Sequence, residues 1–330
     1  MNRTKILIIR FSSIGDIVLT TPIVRALKNC VKNVELHYLT KPENETLLKN
    51  NKYIDKLHLL KNDLSETTDE LSKEEFGYVV DLQKNLRSLR IKKALGVRVS
   101  SFPKLNIRKW LFVNLKLQCM PAIHIVDRYF EAVRDLEVVN DGKGLDYFLQ
   151  EADFVDCETL PAGFQSGYVA CVVGSKHATK QMPTDLMADL CRKIQKPIIL
   201  LGGKGDRDKA AIIGQQVGAK VFNACGNYNI NQSAYLVKNA LGIITPDTGL
   251  MHIAAAFDKN IIAVWGNTVP QFGMYPYRAA NAKGKTYNFE VKNLHCRPCS
   301  KLGYAECPKK HFRCMLGQDT DKIAEIANEW

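Results

Sequence analysis

Apolar residues along this chain come in short unbroken runs, and each run closes on a loop rich in Gly, Ser, Asp or Thr. The first, Lys5-Ile-Leu-Ile-Ile-Arg10, ends at Ser12-Ser13-Ile14-Gly15-Asp16. Such a run suits a parallel strand covered on both faces. The same pattern predicts strands at Val34–Leu39, Ile54–Leu60, Tyr78–Asp81 and Val97–Phe102. It restarts at Tyr168–Val173 and continues through Pro197–Leu201, Lys220–Phe222, Leu241–Thr245 and Asn260–Val264, the last clear strand. Helix-length segments fill the gaps. The first turns Ile17, Val18, Val24 and Leu27 inward, and Pro22 either kinks it or opens a second segment capped by Thr21. Pro183 is expected at the first position of another helix, with further helices near Asn231–Lys238 and Thr320–Trp330.

Strands alternating with helices predict an α/β protein with parallel sheets, and 330 residues suit two domains better than one. Periodicity breaks around Pro161-Ala-Gly163, which places the domains at 1–158 and 159–330. Two doubly wound domains facing each other across a cleft would bind ligands at the carboxyl ends of their strands.

Charge sharpens the picture. The formal net charge is +12, which suggests an anionic partner: nucleic acid, an acidic membrane surface or phosphorylated small molecules. From Leu82 to Val126 there is no acidic residue, yet Lys84, Arg87, Arg90, Lys92, Lys93, Arg98, Lys104, Arg108, Lys109 and Lys116 all fall there. The opening apolar run is too short for a membrane helix or signal sequence, so a cytoplasmic protein is expected. Cys30, Cys119, Cys157, Cys171, Cys191 and Cys225 are scattered, as reduced core cysteines are.

Three loops carry candidate chemistry. In the first, Gly15 permits a tight turn, and Asp16 is either a general base for an attacking hydroxyl or a helix cap. The loop lacks Gly-x-Gly-x-x-Gly, which argues against a dinucleotide-dependent dehydrogenase. In the second, Asp247-Thr248-Gly249-Leu250-Met251-His252 runs into a helix whose first N–H groups suit a diphosphate; His252 can donate to phosphate or be a satisfied core residue. In the third, Ser175, Lys176, Thr179 and Lys180 follow a strand and suit an anionic leaving group, or form a solvated basic loop.

Residues Ile8 to Pro22 closely resemble the opening of glycosyltransferase family nine, the heptosyltransferases. Asp247 to Ala256 resembles that family's second hallmark, and Ser175 to Pro183 its third. The resemblance implies a GT-B fold of two Rossmann-like domains, acceptor on the first and nucleotide sugar on the second. It implies inverting transfer from ADP-heptose without a catalytic metal. Asp16 would be the base, Lys180 would contact the donor phosphates, and Thr248, Gly249 and His252 would line the diphosphate. Ser175 and Asp247 would help place the donor, with Lys176, Thr179, Leu250 and Met251 beside them. Ser12, Ser13, Gly15, Arg87 and Arg90 would meet the acceptor, an acidic lipid A-core sugar at the cytoplasmic face of the inner membrane. The basic segment, with Trp110, Phe112 and Leu115 interleaved, would rest on that membrane surface. Nucleic acid is not expected, since none of its usual binding modules is visible. Competing readings are transfer from another nucleotide sugar, epimerisation of one, and a non-catalytic nucleotide-sugar sensor.

Outside those motifs, Cys296, Cys299, Cys307 and Cys314 cluster near the C-terminus, with His311 among them. Structural zinc, disulfides and free thiols all fit this spacing.

Overall fold

The computed structural model describes residues 4–330, apart from the side chain of Cys157, so the expectation of a core Cys157 falls outside the described residues. The chain divides into two compact units, Met1–Lys104 with Ile123–Phe148, and Leu105–Ala122 with Leu149–Trp330. The first unit therefore ends short of the expected 158/159 division, and a hairpin-length segment of the basic stretch belongs to the second.

In the first unit the order is β1 (Thr4–Ile9), α1 (Ile14–Val18), α2 (Thr21–Cys30), β2 (Val34–Thr40), β3 (Lys56–Leu59), α3 (Leu64–Ser72), β4 (Tyr78–Asp81), α4 (Leu86–Leu95) and β5 (Arg98–Ser101). After α5 (Asn106–Leu115), which lies in the second unit, the chain returns with α6 (Ile125–Phe130). The strands form one parallel sheet in the order β3-β2-β1-β4-β5. Ile6, Leu7, Ile8 and Ile9 are fully buried, as expected for the central strand of a sheet covered on both faces. Each such side chain contributes about 1.5–3 kcal/mol relative to exposure. Pro22 opens a new segment rather than a kink. The residue at its cap position is Thr20, not Thr21, and neither hydroxyl caps the helix: Thr20 donates back to the Ile17 carbonyl (2.7 Å) and Thr21 to the Val18 carbonyl (2.8 Å).

The second unit continues with β6 (Val169–Val172), α7 (Thr184–Lys193), β7 (Ile198–Leu201), α8 (Arg207–Val217), β8 (Val221–Asn223), α9 (Ile230–Asn239), β9 (Gly242–Pro246), α10 (Gly249–Ala256), β10 (Asn260–Trp265), β11 (Thr286–Glu290), α11 (Arg313–Leu316) and α12 (Thr320–Asn328). Its sheet is parallel, in the order β11-β10-β9-β6-β7-β8. Asn229 and Gln232 close a capping box at the start of α9, each side chain accepting from the other's backbone N–H (2.9 and 3.0 Å). Pro183 is the cap of α7, not its first residue. Strand β11 is absent from the expectations because it is a half-exposed edge strand without an apolar run. The last helix, α12, packs on α7, where Lys193 donates to Thr320 (2.8 Å) and Asn328 accepts from the Gln195 N–H (2.7 Å). Cys171, Cys191 and Cys225 are core residues as expected, whereas Cys30 is exposed and Cys119 half-exposed.

Both sheets reverse their winding direction once. In the first the reversal lies between β1 and β4, in the second between β6 and β9. Loops leaving the carboxyl ends of those strands flank the crevice where open α/β sheets bind ligands. The loop carrying Asp16 follows β1, that carrying Lys180 follows β6, and that carrying Asp247 follows β9.

Candidate active site

In the first unit the chain leaves β1 at Arg10 and enters α1 at Ile14, with Ser13 as cap. Asp16 is the third residue of that helix. Its Oδ2 accepts from the Ser13 N–H (3.2 Å) and the Ser13 hydroxyl (2.7 Å), and its Oδ1 meets the Arg10 guanidinium at 2.6 Å. Asp16 thus does help close the helix start. Its side chain also remains 21% exposed, so an edge of the carboxylate can accept a proton from a hydroxyl brought against it.

Arg10 holds this arrangement, and the sequence reading missed it. Its side chain is nearly buried and donates to the Ser12 carbonyl (2.9 Å) and the Leu82 carbonyl (2.5 Å), tying the Asp16 loop to the end of β4. Its guanidinium also lies 6.0 Å from the centre of the Tyr129 ring. Burial opposes the Arg10 charge, but the Asp16 carboxylate beside it favours that charge, and the Arg10 pKa is raised. Burial likewise pushes the Tyr38 and Tyr129 phenols up, so both stay neutral. The Phe11 carbonyl accepts from Asn44 Nδ2 (2.9 Å), and the Phe11 N–H donates to Gln83 Oε1 (2.9 Å). The available signal was position: a cation directly after a buried strand, at the start of the loop.

Ser12, Ser13, Gly15 and Asp16 stand on one turn after β1; Gly15 is buried and Ser13 exposed. Arg87 and Arg90 stand exposed on α4, and among the described residues neither makes a hydrogen bond or ion pair. The basic segment is not one free surface. Lys84 and Lys104 donate to backbone carbonyls, Lys92 pairs with buried Asp81 (2.9 Å), and Arg98 pairs with Asp135 (3.0 Å). Phe112 is buried against Phe272, contrary to its expected place on the surface, while Trp110 and Leu115 are exposed.

The second unit joins three loops. Lys180, after β6, donates to Asp247 Oδ2 after β9 (2.6 Å); each side chain is 15% exposed. Thr268, after β10, donates to the same oxygen (3.0 Å). Thr248 caps α10, and its hydroxyl lies 3.1 Å from that of Thr245. Gly249 opens the helix with its N–H free of the intrahelical ladder, as at any helix start. Leu250, Met251 and His252 are buried, so Leu250 and Met251 offer a ligand backbone groups rather than side chains. Ser175 is half-exposed and Lys176 exposed, while buried Thr179 turns its hydroxyl to the backbone of Tyr304 (2.8 Å from the Tyr304 N–H). Burial, Lys180 and Lys176 together push the His177 pKa down, so it adds no charge to this cationic loop at neutral pH. An ammonium beside a helix start can stabilise a diphosphate. Thr268 was also missed, because its link to Asp247 exists only once β9 and β10 are paired.

None of the four C-terminal cysteines is in a disulfide. Cys296 Sγ lies 3.9 Å from His311 Nε2. Burial, then neighbouring Cys296 and Cys314, push the Cys299 thiol up to about 12; burial raises Cys314 to about 11. Among the described residues, the one group of three or more His, Cys, Asp or Glu side chains whose ligand atoms all converge within 4.8 Å is His37, His58 and Glu74, in the first unit; the four cysteines do not form such a group. No described helix is long and apolar enough to cross a membrane.

Residues 66–303 match the family model for glycosyltransferase family 9 (heptosyltransferase). The chain is 24% identical over 292 residues to lipopolysaccharide heptosyltransferase 1 of Campylobacter coli, covering 80% of this chain and 84% of that one. Among solved structures it is similar to a family 9 glycosyl transferase from Veillonella parvula (TM-score 0.76, 18% identity, 100% and 97% of the two chains). It is similar also to the E. coli ADP-heptose LPS heptosyltransferase II (TM-score 0.75, 15% identity, 99% and 98%).

Proposed function

Because the chain belongs to glycosyltransferase family 9, the heptosyltransferases of lipopolysaccharide core synthesis, we propose that it transfers heptose from ADP-heptose to an acidic lipid A-core acceptor with inversion. The observation that supports this most is the Asp16 carboxylate, oriented by Arg10 and partly open to solvent beside the reversal of the first sheet. Asp16 takes the proton of an acceptor hydroxyl as its oxygen attacks the anomeric carbon. The bond to the donor phosphate breaks from the opposite side, and its electron pair leaves with ADP. Lys180, the Thr248 hydroxyl and the first N–H groups of α10 stabilise the diphosphate that departs. Asp247 fixes the Lys180 ammonium through its Oδ2 (2.6 Å) and its backbone carbonyl (3.5 Å), which leaves a further proton of the ammonium for a phosphate oxygen.

No metal enters this chemistry. A structural zinc on Cys296, Cys299, Cys307 and Cys314 is a separate proposal: these are soft ligands of the right number, close together in the sequence. Elemental analysis of the purified protein reads its presence directly. A peripheral seat on the cytoplasmic face of the inner membrane is supported by exposed Ile107, Trp110 and Leu115 on α5, beside Arg108 and Lys109.

Donor identity is tested by incubating the enzyme with ADP-heptose, and separately with UDP- and GDP-sugars, and a heptose-free lipid A-core acceptor. Product from ADP-heptose alone, with the anomeric configuration inverted, is expected. Transfer from UDP- or GDP-sugars instead would redirect the donor, and tight ADP-heptose binding without product on any acceptor would favour a sensor.

A further inference from the structure

The cysteine-rich tail has no part in the reaction above, yet its first nine residues grip two of the three loops that form the Lys180–Asp247 site. Arg297, between the first two cysteines, is only 6% exposed and binds the loop after β10 like a clasp. Its Nε donates to the Gly266 carbonyl (2.6 Å), and its two terminal nitrogens reach the carbonyls of Val291 (2.7 Å), Thr268 (3.0 Å) and Trp265 (3.3 Å). Glu290 balances its charge at 3.2 Å. Alongside, the Cys299 N–H donates to the Asn267 carbonyl (3.2 Å). The planar guanidinium, with five donors in a fixed fork, suits such a task; a lysine in its place does not.

Farther along, the tail holds the loop that carries Lys180. The Tyr304 N–H donates to the Thr179 hydroxyl (2.8 Å), and the Thr179 N–H returns a bond to the Tyr304 carbonyl (3.2 Å). The fit is close at two glycines. A Cβ on Gly266 would stand 2.7 Å from the Thr179 carbonyl oxygen, and one on Gly303, whose φ is +125°, would stand 2.5 Å from the His177 Cβ. Nothing larger than hydrogen fits at either place. The loop fixed by Arg297 ends at Thr268, which donates to Asp247, which in turn pairs with Lys180.

We propose that the tail is the positioning element of the donor site, with Arg297 its principal residue, acting through Thr268 and Asp247 on the Lys180 ammonium. This rests on the reading of that site as the one that binds the donor diphosphate. Arg297 touches no substrate; it sets where the phosphate-binding group stands. Its loss therefore shows as weaker donor binding, not as a failure of proton transfer.

The test is calorimetric titration of the full-length protein with ADP, paired with steady-state kinetics, for wild type, Arg297→Lys, Thr268→Val and Lys180→Ala. Arg297→Lys is expected to raise the ADP dissociation constant and the donor KM about tenfold, equivalent to about 1.4 kcal/mol, with the acceptor KM unchanged. Thr268→Val keeps shape, removes only the last link, and is expected to give a smaller shift of the same kind. It decides the matter if Arg297→Lys does not fold. Wild-type ADP affinity in both variants, with weakened binding in Lys180→Ala, would overturn the positioning role while leaving the donor site in place. Unchanged affinity in Lys180→Ala would overturn the donor-site reading itself, and the proposal with it.

Discussion

Arg10 and Asp16 belong to one βα turn, and their pair forms wherever that turn forms. Lys180 and Asp247 are 67 residues apart, and their pair exists only after β6, β9 and β10 have been laid side by side and the loop of Thr268 fixed from the tail. Both pairs sit at the reversal point of a parallel sheet, and both set a cation against a carboxylate. They differ in what surrounds them. Arg10 is enclosed and donates to two carbonyls besides its carboxylate, so its charge is structural and the exposed partner is the reactive one. In the second pair the two groups are equally exposed, and the cation is available to a ligand. A group that must move a proton is thereby held locally and rigidly, while a group that must meet a phosphate is held by a frame of several loops.

Exchanging each cation for alanine breaks this comparison most sharply. Arg10→Ala leaves Asp16 without its counter-charge and two carbonyls without donors, and is expected to destabilise the first unit by about 3 kcal/mol or more. Lys180→Ala is expected to change unfolding by only about 1 kcal/mol but to weaken ADP binding roughly 10- to 100-fold, the worth of a charge-assisted bond. Denaturant melts and ADP titrations of both variants measure this. The reverse pattern, a stable Arg10 variant and an unfolded Lys180 variant, would show that the roles have been exchanged.

A smaller effect concerns the scaffold under the first pair. Glu74 bonds to Lys56 and to Lys5 on β1 (2.9 Å to Lys5), and these bonds hold its carboxyl down at about 2 from an ordinary 4.5. The folded state then binds fewer protons than the unfolded one. The contribution of Glu74 is complete above about 4.5 and is lost as pH falls toward 2. Wild type should melt higher than Glu74→Gln at pH 7, and the gap should close across that acid window. A gap that stays constant with pH would deny Glu74 this role.

The first pair was half legible in the sequence. Asp16 and its loop follow from a buried strand that ends in a polar turn with glycine, but Arg10 reads as strand flank until Leu82 is known to lie beside it. Lys180 and Asp247 were each legible as loop residues after strands, yet nothing in their spacing could reveal that they touch. Thr268 and Arg297 were invisible for the same reason: their partners are set by strand order, which a parallel sheet with long crossovers does not encode locally. The strands themselves were read well wherever both faces are buried. β11 was not, because an edge strand with half-exposed residues shows neither an apolar run nor alternation.

The central claim is that Asp16 supplies the base and not merely the cap of α1. Asp16→Asn keeps the size of the side chain and an oxygen to accept from Ser13, but it cannot take a proton. Turnover of ADP-heptose onto the lipid A-core acceptor, measured beside ADP titration and thermal melting of the same sample, tests this directly. The account predicts that transfer falls by roughly 100- to 10,000-fold while ADP affinity stays near wild type; the melt drops, because nearly buried Arg10 loses its counter-charge, but the protein remains folded at the assay temperature. Transfer within a few-fold of wild type, or a loss that merely follows unfolding, would contradict it.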